Sequence, residues 1–286
     1  MSAEQSRPSK EVIPLTSMPR ELIPGAVRDV LAFTVGFVKP GTKLGQAPEF
    51  LGSGTLVSVG SKRAILTAEH VLGHIKRELP PDARLGVLLL PGHPSLTIAL
   101  TSLSIMPIAR GRIDAEGPDL GAIILSSEVA GSLAAKKTFY NLDRDRDQLL
   151  AEPPDRRQGF WFASGFPASE AVRETDEEGE VVRFMNFYGI GGPDEPETRG
   201  AYDYYKFPVS PGVRDQAPAS FGGMSGGGLW QIRIRRAPDG LATMRPLLAG
   251  VVYYQVNTPA ELAMLCHGRR SVYDSAYRSI ETGAAP

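Results

Sequence analysis

The sequence predicts an all-β protein made of two antiparallel barrels closed by a C-terminal helix. Three observations carry that expectation: short apolar runs recur along the chain, turn-forming residues separate them, and a single helix-period segment stands near the end. The 31 glycines and 24 prolines are spread through the chain, which favours many short strands over long helices.

Between Ala26 and about Ser126 the apolar runs are VLAFTVGFV, GTLVSV, RAILTA, LGVLLL, TIALTSLSI and LGAIIL. Six such strands suit a small closed barrel, in which closure removes exposed edges. The segment NLDRDRDQLLAEPPDRRQ alternates charge and carries a double proline, so it reads as a solvated connection. Strands resume at GFWFASGF, VVRFMNFYGI, DYYKFPV, GGLWQIRIR and LLAGVVYYQV. ETDEEGEV reads as a charged hairpin tip and GGPDEPETRGAYD as a long loop. In SVYDSAYRSIETG, Ser271 is a candidate N-cap, and Val272, Ala276 and Ile280 share one helical face. The expected organisation is a flexible tail over 1–25, a first barrel over 26–140, a linker over 141–158, a second barrel over 159–270, and a C-terminal helix and tail over 271–286.

The formal net charge of −1, with no basic run, argues against a nucleic-acid or anionic-membrane partner held by electrostatics. Arg233, Arg235 and Arg236 alternate with Ile232 and Ile234, as on the solvated face of a half-buried strand. Cys266 is the only cysteine, so no intrachain disulfide forms and the reducing cytosol is the simplest compartment. The opening residues MSAEQSRPSKEVIP hold no signal-peptide core, and no stretch approaches the roughly 18 apolar residues of a membrane span. A cytoplasmic protein with no membrane partner is therefore expected.

Three segments carry chemistry. Phe221 to Leu229 sets Ser225 among five glycines just before an apolar run. A serine that attacks a carbonyl needs a sharply turned backbone whose neighbouring N–H groups converge, and glycine reaches those dihedrals without steric penalty. Upstream, AILTAEHVL reads as a buried strand running into a short turn that carries His70, and DLGAIIL opens an apolar strand with Asp119. A hydroxyl needs a base within reach, which an imidazole supplies near neutral pH. The imidazole in turn needs a carboxylate to fix its tautomer and offset its charge. Activity is then expected to climb with pH as His70 loses its proton.

The order His70, Asp119, Ser225, with GSGTLVS as a strand before the histidine, resembles the trypsin-like (chymotrypsin-fold) serine peptidases, in particular their bacterial disulfide-free branch. The likeness runs from about Leu51 to Gln255. It implies two six-stranded barrels, with His70 and Asp119 from the first, Ser225 from the second, and a cleft between them. It also implies an oxyanion hole formed by the Gly223 and Ser225 N–H groups, worth about 3 kcal/mol per donor, and a peptide or protein substrate. By the same resemblance Ala219 forms the floor of the primary specificity pocket, and Tyr253, Tyr254 and Gln255 line the strand that pairs with bound peptide. A small apolar floor points to a small or apolar substrate side chain.

Two departures matter. Met224 stands where peptidases activated by a newly cut N-terminus carry aspartate, so that activation is not expected and control by a protein partner is. Gly228 replaces a proline usual in the family.

Other readings are weaker. Gly223-x-Ser225-x-Gly227 also fits the nucleophile elbow of α/β-hydrolase esterases, yet a helix should follow the serine and only His267 lies downstream. His70 and His74 are four apart, but Glu69 precedes His70 and Gly73 interrupts, so the HExxH zinc motif is absent; neither metal nor cofactor is expected. Asp114 rivals Asp119 as the acid but lies farther from the apolar run. The non-enzyme alternative is a protease-like module that binds a protein segment without cutting it.

Overall fold

A computed structural model of the chain describes residues 22–41, 47–89, 95–111, 114–176, 179–184, 187–208, 218, 220–236, 242–258 and 261–284. The first half comprises α1 (Leu22–Leu31), β1 (Thr34–Lys39), β2 (Glu49–Val59), β3 (Lys62–Thr67), α2 (Glu69–Glu78), β4 (Arg84–Leu88), β5 (Leu96–Ala99), β6 (Leu103–Arg110), β7 (Asp119–Leu125), α3 (Ser127–Ala134) and β8 (Tyr140–Asn141). The second comprises α4 (Arg146–Ala151), β9 (Phe160–Gly165), β10 (Ala171–Asp176), β11 (Gly179–Phe184), β12 (Phe187–Gly191), β13 (Glu197–Arg199), β14 (Tyr202–Pro208), β15 (Gly228–Arg236), β16 (Ala242–Asn257), β17 (Leu262–His267) and α5 (Tyr277–Thr282).

Two large sheets result. One is ordered β5-β4-β1-β2-β3-β7-β6, with β8 added beside β2; the other is ordered β12-β9-β15-β16-β17-β14-β13. The β-rich class agrees with expectation. Closed six-stranded barrels do not appear among the described residues: the first sheet has eight strands, the second seven, and each hydrogen-bonded path has two ends. β10 and β11 pair as a separate hairpin where a charged hairpin was expected; its tip residues 177 and 178 lie outside the described residues.

Several boundaries differ from the sequence reading, each for a local reason. Most of the expected tail over 1–25 lies outside the described residues, but its end belongs to α1. There Pro24 stands in the first turn, where a helix needs no N–H donor, and Ala26 and Val30 bury one face. His70 sits on a ten-residue helix, not a short turn, because Val71, Leu72 and Ile75 pack inward and Gly73 faces open space. The linker over 141–158 is partly core: Leu142 and Leu149 are buried. β17 was not expected, yet it lies between β16 and β14. Ser271 is not an N-cap, since the helix already includes Arg269 and Ser271 is fully buried within it. The face formed by Val272, Ala276 and Ile280 is buried as expected.

One apolar cluster crosses between the sheets. It joins Val57, Leu66 and Leu120 to Phe162, Trp230 and Leu248, and takes in Val272 and Ile280. Burying each large side chain contributes roughly 1.5–3 kcal/mol, so the cluster is a major force holding the two sheets in register. Trp230 is its centre: the indole stacks on Phe33 at 5.2 Å, meets Tyr140 edge-on at 5.4 Å, and donates to Ser164 Oγ at 3.2 Å. No helix among the described residues is long and apolar enough to cross a membrane. Trp230→Ala is expected to lower the unfolding free energy by about 3–5 kcal/mol in urea titrations.

Candidate active site

The histidine and the acid are joined at the first sheet. β3 ends at Thr67, and the chain enters α2 one residue later, so the first-turn N–H groups have no partners within the helix. The His70 N–H donates to Asp119 Oδ1 at 2.9 Å, and the His70 ring Nδ1 lies 2.5 Å from Asp119 Oδ2. Asp119, the first residue of β7, is 4% exposed, whereas the His70 side chain is 25% exposed. A buried carboxylate must be hydrogen-bonded, and the two bonds to one residue leave the imidazole little freedom. They direct Nδ1–H toward the acid and turn the Nε2 lone pair away from it. Asp114 instead caps its own turn, accepting from the Glu116 N–H.

The serine loop is shaped by bonds to both halves. Ser53 of β2 donates through Oγ to the Gly223 carbonyl at 2.7 Å and through its N–H to the Ser225 carbonyl at 2.9 Å. Thr55 Oγ1 donates to the Gly226 carbonyl at 3.0 Å. The Ser53 carbonyl accepts from Thr67 Oγ1 at 2.8 Å, so the serine loop and the histidine segment brace the same short stretch of β2. Gly223 and Gly226 have φ of +96° and +93°, in the left-handed region. A Cβ on Gly226 would lie 2.0 Å from the Ser53 carbonyl, and one on Gly223 would lie 2.7 Å from the Phe166 carbonyl.

The same bonds set the loop's amides. The Gly222 carbonyl accepts from the Ala168 N–H at 2.8 Å and the Met224 carbonyl from the Gly227 N–H at 2.8 Å. In a trans peptide the N–H points opposite to the carbonyl, so the N–H groups of Gly223 and Ser225 are directed away from these anchors. Neither has a protein acceptor among the described residues. Met224 itself is fully buried in the second sheet's apolar cluster and offers no carboxylate.

Ser225 Oγ donates to the Tyr253 carbonyl at 3.3 Å; among the described residues it is not bonded to His70. A bulge after Val252 re-aims Tyr253. Its ring is 1% exposed, packs 5.8 Å from Tyr204, and its hydroxyl donates to the Ala115 carbonyl at 2.8 Å. The side chain therefore supports the loop that leads to Asp119 instead of lining a groove, and only its backbone reaches the site. Gln255 also braces: Oε1 accepts from the Phe221 N–H at 2.6 Å, holding the start of the serine loop. Tyr254 is partly buried against the first sheet's core. Ala219 lies outside the described residues.

Sequence reasoning missed two contributors. Ser53 entered the sequence reading only as part of the strand GSGTLVS; its hub role needs the loop to be folded over it. His267, at the end of the unexpected β17, accepts the Asp119 N–H through Nε2 at 3.0 Å. Burial lowers its pKa from 6.5 to about 4, with the nearby Asp119 carboxylate opposing the shift.

No protein-family model matches the chain, and no curated protein sequence matches it. Among solved structures it is similar to the protease Anisep from Arthrobacter nicotinovorans, with 14% identity, TM-score 0.38, and coverage of 82% of this chain and 89% of that one. It is also similar to an inactive form of a serine-to-alanine mutant of Rv3671c from M. tuberculosis, with 14% identity, TM-score 0.46, and coverage of 96% and 100%. A third is a structure described as showing that aromatic interactions drive coupled folding and binding of the intrinsically disordered Sesbania mosaic virus VPg protein. It has 12% identity, TM-score 0.44, and coverage of 87% and 91%.

Gly226→Ala is expected to detach the loop from β2 and lower the thermal midpoint by several degrees, from a loss of about 1–3 kcal/mol. A second outcome concerns pH. His267 has a folded pKa below its ordinary value, so between pH 6.5 and about 4 the folded chain binds fewer protons than the unfolded chain. Stability contributed by this group is complete above that window and falls as pH drops through it. Urea titrations at pH 7.5 and 4.5 should show wild type losing about 2–3 kcal/mol more than His267→Gln.

Proposed function

We propose that this chain is a trypsin-like serine endopeptidase of chymotrypsin fold, cutting peptide bonds through His70, Asp119 and Ser225. The observation that carries the reading is the grip of Asp119 on both the backbone and the ring of His70, at 2.9 and 2.5 Å. That grip matters because the serine loop is bonded to the same strand that braces the histidine segment. The nucleophile-elbow alternative loses its basis, because Ser225 is followed by β15 and not by a helix.

In this mechanism Ser225 turns about its Cα–Cβ bond, from the Tyr253 carbonyl toward His70 Nε2, as substrate enters. His70 removes the hydroxyl proton while Oγ forms a bond to the substrate carbonyl carbon, and the carbonyl oxygen takes up negative charge. The Gly223 and Ser225 N–H groups receive that oxygen. Collapse of the tetrahedral intermediate breaks the C–N bond, with His70 returning the proton to the leaving amine. Water then repeats the cycle on the acyl-enzyme, releasing acid and restoring Ser225. The Asp119 carboxylate offsets the charge on the imidazolium.

The bond from Ser225 Oγ to Tyr253 favours a second reading, a module that binds a protein segment without cutting it. A cytosolic setting and control by a protein partner belong to the first reading and are supported by the lone Cys266 and by the buried Met224. Fluorophosphonate capture separates the two readings. The protease reading expects labelling of wild type, none of Ser225→Ala, and a fall of about 10⁴-fold in kcat for Asp119→Asn. Folded wild type that resists labelling across pH 6 to 9 would overturn the protease reading and favour the binding module.

A further inference from the structure

We infer that His267 is a positioning residue for the acid of the triad: a neutral imidazole locked beneath Asp119, joining the triad to the C-terminal helix. The inference rests on the protease reading above, in which Asp119 orients His70.

The bonds around the ring determine its tautomer. The Asp119 N–H is a donor, so Nε2, 3.0 Å away, must present its lone pair. The proton therefore sits on Nδ1, which faces Ser271 Oγ at 3.2 Å. Ser271 Oγ in turn accepts from the Asp203 N–H at 3.2 Å and donates to Asp203, whose carbonyl oxygen and Oδ1 lie at 3.1 and 3.2 Å. The Ser271 N–H donates to Asp203 Oδ1 at 3.0 Å, and the Gly268 N–H to the Asp203 carbonyl at 2.6 Å. An unbroken set of hydrogen bonds thus runs from β14 through the first turns of the C-terminal helix to the first residue of β7.

The surroundings exclude competing roles. His267 is fully buried, and its ring packs 4.9 Å from Tyr253, 5.1 Å from Tyr204 and 5.9 Å from Tyr202. The titratable groups facing it are Asp119 from β7, Tyr202, Asp203 and Tyr204 from β14, and Tyr253 from β16. Arg199 from β13 acts on it at longer range. Protonation would turn Nε2 into a second donor aimed at the Asp119 N–H, and burial disfavours that charge as well. With no exposed face, the ring cannot touch substrate. Its contact with the site is the Asp119 backbone, whose placement sets where the carboxylate meets His70.

The test compares three variants with wild type. His267→Leu removes the acceptor, His267→Gln returns an amide oxygen near the Nε2 position, and Ser271→Ala keeps the imidazole but removes the oxygen that orients it. In fluorophosphonate capture, His267→Leu should fall at least tenfold in the maximal rate with little change in inhibitor affinity. The acid limb of its pH profile should also move, which a change in global stability alone would not produce. His267→Gln should recover to within about threefold of wild type, and Ser271→Ala should lie between. Amide hydrogen exchange at Asp119 should quicken in His267→Leu and stay slow in His267→Gln. Should His267→Leu not fold, Ser271→Ala and His267→Gln carry the comparison. Capture rate and acid limb unchanged in every folded variant would overturn the inference, as would unaltered exchange at Asp119. If wild type itself is not captured, the protease reading fails; exchange at Asp119 and the low-field His70 Nδ1–H resonance then decide the positioning role separately.

Discussion

The arrangement depends on one buried carboxylate. Asp119 opens β7 with almost no exposure, and a charge in that position is tolerated only when its lone pairs are met by donors. His70 supplies two of them, one from the backbone at the start of α2 and one from the ring. The helix must therefore begin where it does, and the ring must lie where it does, for the acid to be buried at all. Around that pair the second half closes in: Tyr253 bonds the Ala115 carbonyl, and Arg199 bonds the Glu116 carbonyl while stacking 3.9 Å above the Tyr204 ring. The segment leading to Asp119 is thus held by residues distant in sequence.

The serine loop follows the opposite logic, since it has little structure of its own. Glycines give it access to unusual dihedrals but contribute no packing, so its shape is imposed from outside. Ser53 holds two backbone groups of the stretch from Phe221 to Gly226, and Thr55, Ala168 and Gln255 hold one each. The Gly222 and Met224 carbonyls, held by the Ala168 and Gly227 N–H groups, turn the Gly223 and Ser225 N–H groups the other way, and among the described residues these two amides have no protein acceptor. In the protease reading these two amides would receive the developing anion, and the bonds that hold the neighbouring carbonyls would supply the preorganisation such a site requires.

How much of this was legible in the sequence depends on the distance between cause and effect along the chain. The candidate residues could be singled out because each is marked by its immediate sequence neighbours: His70 after a buried strand, Asp119 at the head of one, Ser225 amid glycines. The flanking strands could be read from apolar runs for the same reason. β17 could not, because LAMLCH is short and places a histidine and a cysteine where a loop would also place them. The resemblance put Tyr253 beside bound peptide, whereas the bulge after Val252 interrupts the alternation of β16 and the Tyr253 side chain is buried. Ser271 matches an N-cap by type and position, but Asp203, 68 residues away, supplies the cap acceptor, which no local pattern announces.

These misreadings meet at one place, and the reason is physical. Tyr253, His267 and Ser271 are polar-capable side chains in a nearly dry seam, where a missing partner costs about 1–3 kcal/mol and each bond constrains the next. Such a network is specified only when every member is present, so no single residue signals it in isolation. Its position is equally constrained. The first sheet presents the Asp119 N–H at the end of β7, beyond its pairing with β3, the second presents β17 with a lone pair, and Ser271 of the C-terminal helix faces the other ring nitrogen. A purely apolar seam would hold the sheets together without fixing their register to a fraction of an ångström. The imidazole does both, because its flat face packs among tyrosines while its two nitrogens define a direction.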